Sequence, residues 1–388
     1  MAEQIIKPDL NFINEVISSG GESLKKCFQC ATCSVVCNVT PDDKPFPRKE
    51  MLHAQWGLKD KLLSNPDIWL CHQCSDCTAY CPRGAKPGEV LGAIRKLSLQ
   101  HYSSPKFLAK MAGDVKYLLL LFAAPVLIFL TYLGITGKLD FANVPKDPVK
   151  GIVFSKLIPT TFFIDPVFMI AALFAAVVFA RGIMRYWNDM SRNAGTKGGN
   201  IIGAAVSAIT EILAHRRFNK CEVTKGRSIS HILVFYSFAG LAITTTWALI
   251  YLYGPIVMKF LGMEPLQWLL GESPYPLTDP MKILGNASAA GLALGILLVI
   301  FNRIKNSAKA GIGSYYDWLF IGVVFFVTVT GILSEVFRLM NNEMLAYPTY
   351  IAHLSFVLFL FAYAPFSKMA HMVYRATAMV FAKQAGRD

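Results

Sequence analysis

Uninterrupted apolar runs follow one another from about residue 115 onward, whereas the preceding part of the chain is polar and mixed in charge. The first run, YLLLLFAAPVLIFLTYLGIT at 117–136, holds no charged residue. A helix of about 20 apolar residues crosses the hydrocarbon core of a bilayer. The pattern therefore predicts six membrane spans, at 117–136, 164–184, 229–253, 283–302, 317–337 and 349–372. Six runs of this length argue against the buried core helices of a water-soluble protein.

One further apolar run, IIGAAVSAITEIL at 201–213, is too short to cross a bilayer and carries Glu211. A segment of this kind is predicted to lie in the membrane interface or to be buried against the protein. It is therefore not counted among the spans.

The loops between the predicted spans differ in basic charge. Sixteen Lys and Arg residues lie in the loops on one side of the membrane, against seven on the other. The first group is 181–227, 303–309 and 367–388, and the second is 137–165, 254–282 and 338–348. Because basic loops stay on the cytoplasmic side, the asymmetry predicts a multi-pass inner-membrane protein with its N-terminal region and both chain ends in the cytoplasm.

The charge of the whole chain fits the same picture. Of its 388 residues 54% are hydrophobic and only 16% are charged, and the formal net charge is +13. A basic excess often indicates nucleic-acid binding, but here the basic residues flank the spans, so we expect a lipid bilayer and no nucleic acid as partner. The first residues, MAEQIIKPDLNFINEV, contain no apolar signal-peptide core, which favours a reducing compartment for the cysteines.

Eight of the nine cysteines form two copies of one motif near the N-terminus. Its spacing is C-x2-C-x2-C-x3-C, and Pro82 follows the second copy directly. The copies consist of Cys27, Cys30, Cys33 and Cys37, and of Cys71, Cys74, Cys77 and Cys81. In two-cluster ferredoxins the first three cysteines of such a motif bind one [4Fe–4S] cluster, while the fourth binds the other. The ninth cysteine, Cys221, lies in a basic loop and is expected to be a packed or free thiol.

The motif therefore predicts two [4Fe–4S] clusters with crossed ligands. One cluster is expected on Cys27, Cys30, Cys33 and Cys81, and the other on Cys71, Cys74, Cys77 and Cys37. A structural zinc site uses two pairs of ligands and does not need three cysteines at successive three-residue steps. Disulfides are disfavoured in a reducing compartment.

Residues 48–65 between the motifs, RKEMLHAQWGLKDKLLSN, place their apolar side chains at helical rather than alternating spacing. The predicted fold class is therefore mainly α, with a helical two-cluster ferredoxin-like domain over 1–112 and a six-helix transmembrane cytochrome b bundle over 113–388. Cysteine already supplies the ligands in the first domain, so its three histidines are expected to be structural or on the surface: His53, His72 and His101.

Histidines in the second domain are candidate ligands for two b haems. His353 and His371 flank the last predicted span and are 18 residues apart, which is five turns of a continuous helix and about 27 Å. Both would leave the same face at opposite depths, as axial ligation of two stacked haems requires, unless Pro365 kinks the helix. His231, at the start of the third span, is expected at the depth of His371 and is paired with it at the inner haem.

The second ligand of the outer haem remains open. His215, in EILAHRRFNKC, would complete two bis-histidine sites if it reaches a haem. If it does not, His353 has no histidine partner, and the outer haem is five-coordinate, differently ligated or absent. Glu335, Arg338 and Glu343 gather near the outer end of the fifth span, where they are a candidate path for quinol protons.

The two cluster motifs resemble the small ferredoxin subunit of heterodisulfide reductase. The spans resemble the cytochrome b family that includes the gamma subunit of respiratory nitrate reductase. That family carries two histidines 18 residues apart on one helix, matched here by His353 and His371. It carries two more ten residues apart on another, where His231 matches one and Leu241 stands in place of the second. The fusion of both modules resembles the membrane subunit of the quinone-interacting membrane-bound oxidoreductase complexes of sulfate reducers.

The resemblance implies a subunit of a quinol-oxidising oxidoreductase, without a complete active site of its own. Electrons from menaquinol, the substrate, would pass through b haems and the two clusters to soluble flavin and iron–sulfur subunits, and onward to adenylylsulfate reductase. Reverse flow, reducing quinone, is equally compatible with the sequence. A haem-free membrane anchor for a ferredoxin head is one alternative, and a transport protein with a redox sensor is another. Transport is disfavoured because no ionisable residue is predicted at mid-membrane.

Overall fold

The computed structural model describes residues 7–194, 198–220, 227–266, 271, 273–310 and 313–387. Within these ranges the regular secondary structure is helical, with one isolated β-bridge between Asp147 and Gly151 and no strand. The prediction of a mainly α fold with six membrane-length helices is confirmed. Cys221, expected to be a packed or free thiol, lies outside the described residues.

Short helices build the cysteine-rich head, which we define as residues 7–112. They are Leu10–Val16, Thr32–Val35, Arg48–Gln55, Lys59–Leu63, Asp67–Leu70, Asp76–Ala79, Pro87–Tyr102 and Lys106–Ala112. The longest begins with Pro87, whose missing N–H is not needed at the first position of a helix. One apolar core joins these helices, and its fully buried members include Phe12, Met51, Leu62, Ile68 and Ile94.

Six helices in the described part of the chain are long and apolar enough to cross a membrane. We number these spans in chain order as Val115–Ile135, Thr160–Asn193, Arg227–Phe260, Pro280–Lys305, Tyr315–Leu339 and Glu343–Ala362. In the most apolar stretch of each span only 11% to 44% of the residues are buried inside the protein. Most of their apolar side chains therefore face outward, as is expected of helices surrounded by lipid.

The sixth span ends at Ala362, ten residues before the predicted position 372. A 3-10 turn over Ala364–Phe366 follows, and a separate C-terminal helix begins at Ala370. Pro365 occupies the 3-10 turn, where the absence of its N–H removes a bond that would continue the helix. The expectation that 349–372 form one helix is therefore wrong, and so is the shared helical face inferred from it.

The C-terminal helix, Ala370–Gln384, packs into the head rather than into the membrane bundle. Its Tyr374 stacks on Trp69 of the head, with ring centroids 5.3 Å apart. Tyr102 lies 5.2 Å from Tyr186 of the second span and 6.4 Å from Tyr374, so aromatic rings from three parts of the chain meet in one cluster. Aromatic pairs of this kind add about 0.5–1.5 kcal/mol each beyond the area that they bury. We call the end of each span nearest this cluster the head end, and the opposite end the far end.

A buried ion pair links Arg387, the last described residue, to the head. Nη2 of Arg387 lies 2.7 Å from Oδ1 of Asp67, and Nζ of Lys49 lies 2.8 Å from Oδ2 of the same carboxylate. Asp67 is fully buried, so both cations compensate the cost of removing its charge from water. Residues 370–387 thus pack against the head, and the division of the chain into domains 1–112 and 113–388 remains a prediction.

The short apolar helix, Ile201–Leu213, is too short to be a span, in line with its sequence. It packs on the C-terminal helix through the small residues Ala204 and Ala208, which are buried. Oε2 of Glu211 lies 3.0 Å from Nζ of Lys383, and its other oxygen pairs with Arg217. The opposite face exposes apolar side chains, which are Ile201, Ile202, Val206, Ile209 and Leu213.

Candidate iron–sulfur and haem sites

The two cysteine motifs adopt the same local backbone conformation. The residues on either side of the second cysteine have positive φ in both copies, at 60° and 68° for Gln29 and Ala31 and at 51° and 69° for Gln73 and Ser75. A residue with a side chain loses roughly 1–2 kcal/mol in the left-handed backbone conformation. Four such residues in two motifs therefore indicate a functional requirement for this backbone conformation. A one-turn helix then carries the third cysteine of each motif.

Each motif contributes its fourth cysteine to the cavity formed by the other. Cavity A is lined by Cys37 together with Cys71, Cys74 and Cys77. Cavity B is lined by Cys81 together with Cys27, Cys30 and Cys33. The structure thus brings together the two sets of four thiols that the sequence predicts as ligands.

Burial disfavours the ionised form of several of these thiols. It raises the pKa of Cys33 to about 11 and that of Cys37 to about 12, and it raises the pKa of Cys77 as well. Neighbouring cysteines act in the same direction, because four thiolates around one cavity repel each other. Iron would supply the positive charge that lets all four ionise, since metal binding displaces thiol protons.

The donor set fits a [4Fe–4S] cluster better than a single metal ion. Within the described residues, no three His, Cys, Asp or Glu side chains converge on one position suitable for a metal ion. In a cubane each thiolate meets a different iron, so the four sulfurs need not converge. Hydrogen-bond donors lie close to two of the sulfur atoms. The backbone nitrogen of Gln73 is 3.3 Å from Sγ of Cys71, and the side-chain Nε2 of Gln29 is 3.4 Å from Sγ of Cys27.

Cavity A lies next to residues of the membrane bundle, whereas cavity B includes an exposed cysteine. Arg227, the first residue of the third span, donates to the carbonyl oxygen of Gln73 at 2.6 Å. Arg375 of the C-terminal helix donates to the carbonyl oxygen of Cys71 at 3.4 Å. Cys30 of cavity B is exposed, while the other seven motif cysteines are buried or half-buried. The two cavities therefore differ in depth below the surface of the head.

Three histidines gather at the head end of the spans, and we call them the histidine group. Nδ1 of His231 lies 3.1 Å from Nε2 of His215, and His371 is close enough for its charge to interact with His231. His215 is buried and has a φ of 50°, so its position is held by the structure around it. The pairing of His231 with His371 at one haem remains a prediction.

His215 does not lie where a second site with His353 would need it. It bonds to His231 at the head end, whereas His353 contacts the fifth span at Val327 and Thr330, near the middle of that helix. The expectation that His353 lies near the outer surface is also wrong, because the sixth span begins at Glu343 rather than at 349. His353 is thus an ionisable residue at mid-membrane, where none was predicted.

The hydrogen bonds of the histidines determine which ring nitrogen carries the proton. Nδ1 of His353 lies 3.0 Å from the carbonyl oxygen of Val327, and Nδ1 of His371 lies 2.5 Å from that of Lys368. A carbonyl only accepts, so Nδ1 is the protonated nitrogen and Nε2 carries the lone pair. Metal-binding histidines usually show this arrangement. Gly331 leaves room for the His353 ring, since a Cβ there would lie 3.0 Å from it.

Sequence reasoning did not identify the residues that link cavity A to the histidine group. His72, expected to be merely structural or on the surface, is buried and hydrogen-bonded to Arg375. Two signals were available: His72 directly follows Cys71, and Arg375 lies one helical turn after His371. The contact between these elements, however, arises only from tertiary packing.

At the far end, two of the three charged residues singled out from sequence, Glu335 and Glu343, have different partners. Glu335 pairs with Lys282 of the fourth span at 2.7 Å and accepts a hydrogen bond from Asn286. Glu343 instead pairs with Lys146. A role of this region in quinol proton release remains a prediction.

These features define a class of protein, a multi-pass membrane protein with a 4Fe–4S head. Residues 23–85 match the 4Fe–4S dicluster domain family, and this region contains both cysteine motifs. No solved structure shows significant similarity to the chain.

Known relatives match the head and the whole chain to different extents. The head is 37% identical to one subunit of the H(2):CoB–CoM heterodisulfide,ferredoxin reductase of Methanothermobacter marburgensis over 90 residues, 22% of this chain and 47% of the relative. The chain therefore spans about half the length of such relatives. Citrate utilization protein B of Escherichia coli is 26% identical over 92% of this chain and 89% of its own.

A third relative matches beyond the head. One subunit of the dihydromethanophenazine:CoB–CoM heterodisulfide reductase of Methanosarcina barkeri is 23% identical over 48% of this chain and 69% of its own. Both heterodisulfide reductase relatives are subunits of oxidoreductases, which supports a role in electron transfer.

Proposed function

We propose that this chain is a membrane electron-transfer subunit that connects the quinone pool with soluble redox partners in the cytoplasm. The observation that carries the proposal is the contact of cavity A with the histidine group, through Arg375 and Arg227. The two predicted kinds of redox cofactor would then be neighbours at the head end. The order along the molecule is then histidine group, cavity A, cavity B and solvent.

The cysteines are proposed as the ligands of two [4Fe–4S] clusters. Cavity A would hold one cluster on Cys37, Cys71, Cys74 and Cys77, and cavity B the other on Cys27, Cys30, Cys33 and Cys81. The crossed lining of the two cavities and the match to a 4Fe–4S dicluster family support this assignment. Each cluster carries one electron at a time, so the head would pass the two electrons of a quinol singly.

Haem b is proposed at two depths of the bundle. His231 and His371 would hold the inner haem, and His353 would hold a second one at mid-membrane, with a partner other than His215. His215 remains part of the inner site, where its Nε2 lies 3.1 Å from Nδ1 of His231. This bond supports a role of His215 as an orienting partner of His231, and its role as an axial ligand remains the alternative. Bound haem would supply one-electron redox chemistry between quinone and the clusters.

Membrane orientation and partners follow from the same proposal. The excess of basic residues on the head side supports a cytoplasmic position for the head and both chain ends. Soluble flavin and iron–sulfur subunits would then meet the head, with menaquinol as the electron donor and adenylylsulfate reductase as the final recipient. Resemblance to the quinone-interacting complexes of sulfate reducers supports this direction.

The opposite direction is a second candidate. Similarity to citrate utilization protein B covers 92% of the chain, and the name of that relative refers to citrate rather than to sulfate. In this case a soluble dehydrogenase would deliver electrons to the head, and the membrane part would reduce quinone. The residues and cofactors of the route are the same in both cases.

The test is a redox-difference spectrum of the purified chain with haem and iron quantified. The proposal predicts sharp α-bands of b haems on reduction, two haems and about eight non-haem irons per chain. One haem that is lost with His231→Ala would leave only the inner site. Iron without haem would reject the cytochrome assignment and leave a membrane-anchored ferredoxin. Menaquinol and a reduced soluble donor, added separately, would show the direction in which the haems are reduced.

A further inference from the structure

We propose that the surface around cavity B is the docking site for a soluble redox protein with an acidic surface. We call this surface the outer rim and define it by Phe28, Val35, Tyr80, Pro82 and Arg83. The inference rests on the proposed function, because it requires a cluster in cavity B. It goes further by locating the partner on the head and stating the chemistry of the partner's surface.

The position of cavity B makes it the exchange point with solvent. Its Cys30 is exposed, so a cluster bound there lies at the surface of the head. Hydrogen bonds from the membrane bundle and the C-terminal helix reach Cys71, His72 and Gln73, all of which line cavity A. A soluble partner that exchanges electrons with the head therefore meets cavity B first.

Apolar side chains stand exposed around this cavity. Phe28 is 66% exposed, Val35 82% and Tyr80 51%. Phe28 lies within the first motif, and Tyr80 directly precedes Cys81 of the same cavity. The short helices Thr32–Val35 and Asp76–Ala79, which end at or next to Val35 and Tyr80, contact each other. Exposed aromatic residues that cluster in this way are typical of the centre of protein interfaces.

Basic residues surround the apolar centre. The guanidinium carbon of Arg83 lies 4.0 Å from the ring centroid of Phe28, and Arg48 also lines cavity B. The exposed basic side chains near the outer rim are Lys25, Lys26, Arg48, Arg83 and Lys86. Two acidic residues, Glu22 and Glu89, lie in the same region. Oε1 of Glu89 is 3.5 Å from Nζ of Lys86. The excess of positive charge would steer a partner with an acidic surface and orient it over the cluster.

An anionic membrane is the competing occupant of a basic, partly apolar surface. The contacts described above join the bundle to the side of the head that carries cavity A. The exposed Cys30 in cavity B favours a soluble redox protein over lipid as the occupant. Lipid binding is therefore included as an outcome of the test.

The experiment uses the full chain in lipid nanodiscs, reduced with dithionite and then desalted. Stopped-flow absorbance follows electron transfer to an acidic flavodoxin, as a stand-in for the natural partner, and separately to 1,4-benzoquinone, a small neutral acceptor. The rim variants are the double substitution Val35→Ser with Tyr80→Ser, and Arg83→Glu. The matched controls are Leu10→Ser, which is 71% exposed in the wild type, and Lys61→Glu, both elsewhere on the head.

We expect the double rim variant to slow flavodoxin reduction at least tenfold, as loss of interface anchors does. Arg83→Glu should slow it as well and flatten its dependence on salt. Iron content should stay at the wild-type value, and the controls should behave like the wild type. The double variant should reduce benzoquinone at the wild-type rate. Because Arg83 lines cavity B and its charge acts on the cluster itself, the effect of Arg83→Glu is taken as the flavodoxin rate divided by the benzoquinone rate of the same protein. If the double variant fails to load iron, Arg83→Glu alone decides the outcome.

Several results would overturn the inference. Rim variants that reduce flavodoxin as fast as the wild type would reject the docking site, as would variants that slow both acceptors equally. Flotation of the nanodiscs with phosphatidylglycerol vesicles that is lost in Arg83→Glu, with flavodoxin reduction unchanged, would assign the surface to lipid. If the wild type reduces benzoquinone but not flavodoxin, the docking site is rejected and the proposed electron-transfer function is retained. A wild type without reducible clusters rejects the proposed function together with it.

Discussion

Arg375 donates a hydrogen bond to Nε2 of His72, while its other terminal nitrogen lies 3.4 Å from the carbonyl oxygen of Cys71. Burial lowers the pKa of Arg375 to about 10, so the side chain stays charged at neutral pH. Burial and the charge of Arg375 hold the pKa of His72 well below its ordinary value, so the imidazole is neutral and accepts the bond. A buried positive charge thus borders cavity A on the side of the histidine group.

Replacing Arg375 with Gln is expected to lower the midpoint potential of the cavity A cluster by about 60 mV or more. A nearby positive charge favours the added electron, and for a one-electron couple about 59 mV corresponds to a tenfold change in the equilibrium constant. Redox titration followed by EPR spectroscopy measures both clusters in one sample. The cavity B cluster therefore serves as an internal reference.

Lys383→Gln is the matched control for the Arg375 variant. Lys383 lies on the same C-terminal helix, two turns further on, and pairs with Glu211 at 3.0 Å. Its removal should leave both cluster potentials unchanged. Equal shifts of both clusters in the Arg375 variant, or no shift at all, would contradict a local role for this charge.

Pairs of cysteine substitutions distinguish crossed from uncrossed ligation. If the fourth cysteine of each motif serves the other cluster, Cys37→Ser with Cys71→Ser damages one cluster only and leaves about four irons per chain. Cys37→Ser with Cys30→Ser damages both clusters and leaves almost none. Uncrossed ligation predicts the reverse for the two pairs. Iron quantification on purified protein gives the answer, with the wild type as reference.

The features that the sequence predicts correctly are local in origin. The six spans follow from the length of uninterrupted apolar runs, of which 117–136 is an example, and the observed helix Val115–Ile135 differs by only a few residues. The two cysteine motifs indicate an iron–sulfur head because their spacing alone sets which thiols can meet one cluster. Features of this kind need no knowledge of which elements pack together.

The features that the sequence did not reveal depend on contacts between distant segments. The sequence indicated a possible kink at Pro365. The end of the helix after Ala362, however, also depends on hydrogen bonds from residues that are distant in the chain. Ser103 donates to the carbonyl oxygen of Pro365 at 3.0 Å, and Tyr316 donates to that of Phe366 at 2.9 Å. These hydrogen bonds satisfy carbonyl groups that have no partner within the interrupted helix. The bond between His215 and His231 likewise joins two separate segments.

Single histidine substitutions should separate the two proposed haems. His231→Ala and His371→Ala are expected to lose the same haem, whereas His353→Ala should lose the other. His215→Asn should retain the inner haem but shift its midpoint potential, because a bond partner that orients a ligand tunes the metal without binding it. Haem content by the pyridine haemochrome assay and a potentiometric titration measure both effects.

His101→Asn is a suitable control, since His101 lies in the head away from the histidine group. It should change neither haem content nor potential. Loss of the inner haem in His215→Asn, to the extent seen with His231→Ala, would instead make His215 an axial ligand. Loss of the same haem in His353→Ala and His371→Ala would contradict two separate sites.

A buried ion cluster fixes the segment that carries His371. Asp317 of the fifth span pairs with Lys368. Nη1 of Arg303 from the fourth span lies 3.5 Å from Oδ2 of the same carboxylate. The carbonyl oxygen of Lys368 accepts the hydrogen bond from Nδ1 of His371. The position of the ligand ring therefore depends on side chains from the fourth and fifth spans, which carry none of the proposed ligands.

Asp317→Asn should remove the buried carboxylate charge that Lys368 and Arg303 share, at a cost of about 3–5 kcal/mol. We expect a lower unfolding temperature in nanodiscs and partial loss of the inner haem, with the His353 haem retained. Glu335→Gln is the control, because its pair with Lys282 lies at the far end and both side chains are partly exposed. A variant in which both haems are lost in proportion to unfolded protein would indicate a stabilising role alone. Selective loss of the His371 haem from protein that is still folded would show that the ion cluster positions this ligand.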